Sequence, residues 1–188
     1  CCWPYFYIMR LSDIVTRTGD KGETGLADGR RVLKNHPYIE AIGAVDSLNS
    51  ILGWAIVPGT DNLVDELEKI QQDLFNLGAE LALPSLKGQK LKQDRLDWLD
   101  MGIEKMNENL PVLDEFIIPG GTEFSSRLHL VRTECRYVER ILVAVSQTET
   151  VPEFHLSFLN RLSDYLFVLA RVVQSKVGKQ EKMWQNKK

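Results

Sequence analysis

The segment GDKGETG at residues 19–25 combines three glycines with one lysine. Glycines let the main chain approach a ligand closely, so the backbone N–H groups and the Lys21 ammonium could bind a polyanion here. A structural turn is the other interpretation, and it is favoured for this segment taken alone. The segment is not a P-loop, because the spacing G-x-x-x-x-G-K-[ST] is missing and no strand precedes it.

Polar side chains also recur every three or four residues in the stretch 123–145. At about 100° per residue they share one narrow sector of a helix, and they are Ser125, His129, Arg132, Arg136 and Glu139. A solvated stripe of charges is the ordinary interpretation of such a face. Two other stretches, however, place Asn160 and Asp164, or Asp46 and Asn49, among apolar residues. Because buried charge is costly unless it is paired, the three stretches together indicate a ligand site or a subunit contact.

Several other catalytic arrangements are missing from the sequence. The three histidines, His36, His129 and His155, are each expected to be surface or capping residues. None follows a glutamate by three positions, so the Glu-x-x-His pairs of di-iron bundles are absent and no metal site is expected. There is also no Gly-x-Ser-x-Gly elbow and no Cys-x-x-Cys pair.

Five amphipathic stretches must position these residues. Each repeats apolar residues every three or four positions, which predicts a helix. The predicted helices run from 37 to 57, from 61 to 83, from about 96 to 110, from 123 to 145 and from 152 to 177. Thr122 is placed to cap the fourth helix, and Gly178 is a plausible C-cap of the fifth. Helices joined by short connections bury their stripes only against each other, so we predict an all-α, up-and-down five-helix bundle.

The rest of the chain is predicted to be irregular. Residues 16–29 are too rich in glycine and polar residues for a helix and are expected to form a loop or an irregular hairpin. Alternating strand patterns are absent. We therefore expect one domain with an irregular segment at 1–15, a glycine-rich loop at 16–36, a helical bundle at 37–178 and a polar tail at 179–188 that frays. Residues 1–8 are left out of the fold, since Met9 is a possible natural start.

Composition excludes several classes of function. The 188 residues include 23 Lys and Arg against 26 Asp and Glu, so no basic excess indicates nucleic-acid binding. No apolar run approaches about 18 residues, and no signal peptide is recognisable, so a soluble protein without membrane partners is expected. The three cysteines, Cys1, Cys2 and Cys135, offer no disulfide framework, which favours the cytoplasm.

Four blocks of the sequence resemble the ATP:cob(I)alamin adenosyltransferases of the propanediol-utilisation type. In chain order they are TRTGDKGETGLADG, AVDSLNSILG, FIIPGGTEFSSRLHLVRTECRYVER and FLNRLSDYLFVLAR. The resemblance extends over residues 9–177. Members of that family are trimers of five-helix bundles with ATP and the corrinoid at each subunit interface, so the resemblance implies a homotrimer.

The resemblance also implies roles for individual residues. Those implied to bind ATP are Thr16, Arg17, Thr18, Gly19, Lys21, Thr24, Lys34, Arg136, Glu139 and Asn160. Three further residues are implied in catalysis. Arg132 and Asp46 match an intersubunit salt bridge beside the corrin, and Phe116 matches the aromatic residue that closes over the lower face of the cobalt. The sequence departs from the family at Tyr137, where many members have a second arginine, and at Ala44, where an acidic residue is common.

The implied reaction transfers the 5′-deoxyadenosyl group of ATP to cob(I)alamin and releases triphosphate. Because cob(I)alamin is itself a strong nucleophile, the protein would supply positioning and, with Mg²⁺, charge stabilisation. A reductase and an adenosylcobalamin-dependent enzyme are the implied partners. Two alternatives remain: a corrinoid carrier that delivers adenosylcobalamin without turnover, and a purely structural helical trimer.

Overall fold

The computed structural model describes residue 15 and residues 17–83 and 91–185. In chain order the elements are β1 (Glu23–Gly25), β2 (Arg31–Leu33), α1 (Pro37–Ile56), α2 (Asp61–Ala82), α3 (Gln93–Asn107), α4 (Glu123–Val145) and α5 (Glu153–Lys176). The prediction of an all-α bundle of five helices is therefore confirmed. Within the described ranges, no helix has both the length and the apolar character needed to cross a membrane.

The helix ends follow from local chemistry. Pro37 opens α1, and the His36 side chain accepts a hydrogen bond from the backbone N–H of Tyr38. Oγ1 of Thr122 accepts from the N–H of Ser125 at 3.2 Å, which confirms the predicted cap of α4. After α5, Gly178 has a φ of 69° and its N–H donates to the carbonyl of Ser175, as expected for a C-cap glycine.

The core joins the helices in a definite order. Helix α1 packs against α2 and α4, α4 packs against α5, and α5 packs against α3. Leucines of the predicted stripes, such as Leu48, Leu128 and Leu162, have no exposed surface. Each buried leucine contributes about 1.5–3 kcal/mol of transfer free energy. This packing fixes α4 beside α5, and these two helices carry most of the predicted site.

The glycine-rich segment forms an antiparallel hairpin in which Thr24 lies opposite Val32. This confirms one of the two predicted forms of the segment. Its strands have three residues each, too few to show an alternating pattern in the sequence. The buried side chain of Leu26 and a 3.2 Å hydrogen bond from Ala27 N–H to the carbonyl of Ala82 hold the hairpin on the end of α2.

The prediction that the polar tail frays is wrong for residues 179–185. Met183 forms an antiparallel bridge with Ile117, and Nε of Arg171 lies 3.1 Å from Oε1 of Glu181. The Arg171 side chain is buried, and that of Glu181 is half-buried. A buried arginine requires a partner, and here α5 obtains it from the tail. Residues 186–188 lie outside the described part.

Two of the three histidines are buried, contrary to the prediction. His36 caps α1, but His129 is 4% exposed and His155 is 0% exposed. Nε2 of His155 lies 2.6 Å from Oε2 of Glu80. Burial lowers the pKa of His155, although the adjacent Glu80 opposes that change. The neutral ring therefore donates to the carboxylate and ties α5 to α2.

Candidate active site

Two residues predicted to bind ATP meet where α4 and α5 pack together. Nδ2 of Asn160 donates to Oε1 of Glu139 at 3.1 Å. Asn160 is exposed and Glu139 is half-buried, so this pair lies at the edge of the helix contact. The packing of the two helices places an amide and a carboxylate side by side at the surface.

Two arginines stand one turn apart on α4. Arg132 is half-buried and Arg136 is exposed. Burial lowers the pKa of Arg132, and the charge of Arg136 lowers it further. Neither guanidinium forms an ion pair within the described part of the chain. Two like charges without a carboxylate partner create a local positive potential that an anion would relieve.

His129 continues this face towards the start of α4. Burial, followed by the charge of Arg132, lowers the pKa of His129 to about 4. Its Nδ1 is 3.4 Å from Nε of Arg132, so the neutral ring presents an acceptor to the guanidinium. The ring of Phe167 packs beside it, with 6.2 Å between the centroids. The polar face is thus buried at His129 and exposed at Arg136.

The hairpin brings Lys34 back onto the glycine segment. A Cβ added at Gly19 would lie 3.3 Å from Nζ of Lys34, so a residue with a side chain would crowd the ammonium. The N–H of Lys34 donates to the carbonyl of Gly22 at 2.8 Å. Lys21 and Lys34 are both exposed. Two ammonium groups and a glycine backbone therefore share one surface.

Arg31 is a residue of this surface that sequence analysis missed. Its Nη2 donates to the carbonyl of Thr18 at 2.9 Å, and its Nε lies 3.3 Å from Oε2 of Glu23. Only the pairing of β1 with β2 brings Arg31 to the segment. Arg17 has a φ of 56°, an uncommon left-handed conformation that concentrates at functional sites in proteins. Thr24 lies in β1, and Thr16 is outside the described residues.

Phe116 projects from the loop before α4 and is 79% exposed. Its ring meets that of Trp184 edge-on, with 6.5 Å between centroids and an interplanar angle of 65°. The loop continues through Gly120 and Gly121, whose φ angles of 152° and 107° favour glycine. A groove of about 530 Å³ lies under this loop, lined also by His129, Gln174 and residues 179–182. The Phe116 ring is not part of the bundle core.

The two loops lie at opposite ends of α4. The Phe116 loop leads into the start of this helix. The hairpin lies at the other end, since it directly precedes α1. The hydroxyl of Tyr38, in the first turn of α1, donates to the carbonyl of Thr150, just beyond the end of α4. Between the loops, Arg132 and Glu139 are about 10 Å apart along the axis at 1.5 Å per residue. The predicted residues of α4 thus form a row that runs from the Phe116 loop towards the hairpin.

Asp46 remains apart from this row within one chain. It is exposed on α1, and the described chain forms no ion pair between Asp46 and Arg132. The neighbouring Ser47 instead donates to Oε1 of Glu134 on α4 at 3.1 Å. The structure therefore does not bring together the two residues of the predicted salt bridge.

The described residues form neither a metal centre nor a reactive thiol. Among residues 17–83 and 91–185, no three His, Cys, Asp or Glu side chains gather as metal ligands. Burial raises the pKa of the Cys135 thiol, which donates to the carbonyl of Leu159 at 3.2 Å. This thiol stays protonated and is unsuited to nucleophilic attack.

Comparison with known proteins gives one family by sequence and by structure. Residues 14–173 match the sequence profile described as cobalamin adenosyltransferase. The chain is 45% identical to a cobalamin adenosyltransferase of Cupriavidus metallidurans over 181 residues, covering 95% of this chain and 97% of that protein. It is 41% identical to a corrinoid adenosyltransferase of Bacillus subtilis, with 88% of each protein covered.

Solved structures of a PduO-type ATP:corrinoid adenosyltransferase from Lactobacillus reuteri are also similar. A phenylalanine-to-histidine variant complexed with cobalamin and ATP superimposes with a TM-score of 0.88 and 36% identity, covering 93% of this chain and 98% of that chain. An arginine-to-lysine variant complexed with ATP gives a TM-score of 0.85 and 38% identity, covering 92% and 100%. On the sequence profile, the relatives and the fold, the chain belongs to the cobalamin adenosyltransferase family.

Proposed function

We propose that this protein transfers the 5′-deoxyadenosyl group of ATP to cob(I)alamin, giving adenosylcobalamin and triphosphate. The observation that carries the proposal is the row of polar residues on α4. It runs from the loop with the exposed Phe116 ring at one end of the helix towards the glycine-rich, cationic hairpin at the other end. Family membership supports the same activity, because the Lactobacillus reuteri relative is complexed with cobalamin and ATP. The row offers an apolar end for a corrinoid and a cationic end for triphosphate.

ATP would bind towards the hairpin. Arg136, Lys21 and Lys34 are exposed cations, and charge-assisted contacts to phosphate oxygens are among the stronger polar contacts in proteins. The carboxylate of Glu139 would repel phosphate unless a cation lay between them. Oxygen atoms of Glu139 and Asn160 are the donor type that Mg²⁺ prefers, and Mg²⁺ commonly binds together with substrate phosphates. Mg²⁺ would neutralise the triphosphate as it leaves.

The corrinoid would bind towards Phe116. The cob(I)alamin electron pair forms the new Co–C5′ bond while the C5′–O bond breaks and triphosphate departs with that bonding pair. No proton is transferred in this step, so the site requires no acid or base. Phe116 would keep water and the dimethylbenzimidazole base from the lower face of the cobalt. Catalysis then depends on positioning and charge stabilisation.

A homotrimer is part of the proposal. Among the described residues the half-buried Arg132 has no carboxylate partner, and Asp46 is exposed on α1. A neighbouring subunit would join them in a salt bridge beside the corrin, which would compensate the cost of burying the charge. A reductase that supplies cob(I)alamin and an enzyme that uses adenosylcobalamin are the proposed partners. The cytoplasmic location stays a prediction.

An anaerobic assay tests the activity. Chemically reduced cobalamin is mixed with MgATP, and the loss of cob(I)alamin absorbance is followed together with the release of triphosphate. We expect one triphosphate for each adenosylcobalamin formed, over many turnovers. Tight binding of adenosylcobalamin without triphosphate release would instead identify a corrinoid carrier, and absence of both would leave only a structural role.

A further inference from the structure

The C-terminal residues 179–185 return to the loop that carries Phe116. The N–H of Ile118 donates to the carbonyl of Lys182 at 2.8 Å, and the N–H of Trp184 donates to the carbonyl of Phe116 at 2.7 Å. With the bridge between Ile117 and Met183, these bonds make the two segments a short antiparallel pair. The backbone from the Phe116 carbonyl to the Ile118 amide is therefore tied to the C-terminal segment.

Buried side chains of α5 anchor the C-terminal segment. Arg171 is 4% exposed, and its guanidinium binds Glu181 of the segment and the carbonyl of Pro111. Gln174 accepts from the N–H of Thr122 at 2.8 Å and donates to the carbonyl of Lys179 at 3.4 Å. Releasing the segment would leave the Arg171 charge without its carboxylate, which is costly in a buried site. The docked arrangement is thus favoured.

The docked segment presents Trp184 to Phe116. Both rings are largely exposed, at 47% and 79%, so their contact does not serve the bundle core. Phe116 lies in the loop before α4 and outside the buried core, so the bundle itself does not fix its ring. Edge-to-face contact is a preferred geometry of aromatic pairs and restricts both rings. Among the described residues, the ring contact that holds Phe116 is the one with Trp184.

We infer that Trp184 is a positioning residue, which the C-terminal segment holds against Phe116 so that the Phe116 ring is fixed over the lower face of the cobalt. This inference rests on the proposed adenosyltransferase activity. It assigns a role to a residue 68 positions away from Phe116 in the chain. Because Trp184 acts through Phe116, its loss affects the corrinoid step and spares ATP binding.

Trp184→Ala tests the inference in the full chain. We expect the yield of four-coordinate cob(II)alamin with MgATP and the kcat to fall about tenfold, in line with the cost of small misplacements at reacting centres, while KM for ATP stays unchanged. Trp184→Phe keeps an edge-on ring and should restore most of both. Gln185→Ala, a change at the next exposed residue, should behave as wild type.

Glu181→Gln tests the anchor separately. Hydrogen exchange at the amides of Ile118 and Trp184 should become about tenfold faster, since the segment opens more often without the ion pair, and the four-coordinate yield should fall with it. If the wild-type protein turns over and Trp184→Ala keeps the wild-type four-coordinate yield and kcat, the inference is overturned while the proposed function stands. A wild-type chain without turnover would instead overturn the proposed function.

Discussion

The side-chain amide of Asn160 on α5 donates to Oε1 of Glu139 on α4 at 3.1 Å. The two residues are 21 positions apart in the chain and meet only because α4 and α5 pack side by side. At this exposed edge the bond contributes about 1 kcal/mol or less to stability. Its main effect is to orient an amide and a carboxylate at the surface that we propose for ATP.

Replacing Asn160 should affect ATP more than folding. Asn160→Ala removes the donor to Glu139, and we expect a higher KM for ATP with a free energy of unfolding within about 1 kcal/mol of wild type. Asn160→Asp places a second carboxylate beside Glu139, and because this carboxylate repels phosphate, its loss of affinity for ATP without Mg²⁺ should exceed that of Asn160→Ala, most clearly in low salt. Calorimetric titration of ATP measures both. Equal affinities in all three proteins would contradict an ATP role for this pair.

Arg136→Ala should reduce kcat/KM for ATP about 10- to 100-fold, because it removes a charge-assisted contact of about 1.5–3 kcal/mol. Arg140→Ala is the matched control, since Arg140 is also exposed on α4 and one turn further along. Steady-state kinetics with varied MgATP compare the two variants. If Arg140→Ala is impaired as much as Arg136→Ala, the effect reflects the general charge of the helix.

Charge reversal tests the proposed contact between Asp46 and Arg132. Asp46→Arg or Arg132→Asp alone leaves two like charges at the subunit boundary, so each variant should lose trimer and activity. The double reversal should recover more of both than the sum of the single effects predicts. Analytical ultracentrifugation with the cobalamin assay measures the coupling. A stable, active wild-type monomer, or simple additivity, would exclude the contact.

Phe116→Ala should fold and bind ATP normally, because the ring is 79% exposed and lies outside the core. The variant should nevertheless lose the four-coordinate cob(II)alamin signal and most of its turnover, since water and the cofactor's base would then reach the cobalt. Phe116→Trp should keep part of both. Spectra of bound cob(II)alamin with MgATP measure the four-coordinate species. A wild-type yield of this species in Phe116→Ala would show that Phe116 only anchors the loop.

Acid should destabilise the protein partly through His129. Burial lowers the pKa of His129 to about 4 in the folded state, below the ordinary value of about 6.5 in the unfolded chain. The contribution of the neutral His129 ring to the free energy of unfolding is therefore fully present above pH 6.5. It is lost as the pH falls towards 4, by at most about 1.4 kcal/mol per pH unit. Urea unfolding at pH 7 and pH 5 should show a smaller loss in His129→Gln than in wild type. Identical losses would show that this ring does not control the acid response.

The sequence predicted the helices because their positions depend on local patterns. Leucine stripes with a period of 3.6 residues, proline and glycine at the boundaries, and Thr122 before α4 are each visible within a few residues. The polar face of α4 was predictable for the same reason. A resemblance in four separate blocks then identified the family, which the comparisons confirm.

The pairing of distant segments could not be predicted in this way. The tail that holds Trp184 on Phe116 is polar in composition, and its docking depends on Arg171, whose burial in α5 creates the demand for Glu181. Likewise, Arg31 reaches Thr18 only after β1 and β2 pair. Local sequence sets the helical period and the caps. Contacts between residues far apart in the chain depend instead on which charged groups and backbone N–H and C=O groups lack a partner once the helices have packed. Only the tertiary structure decides which groups these are.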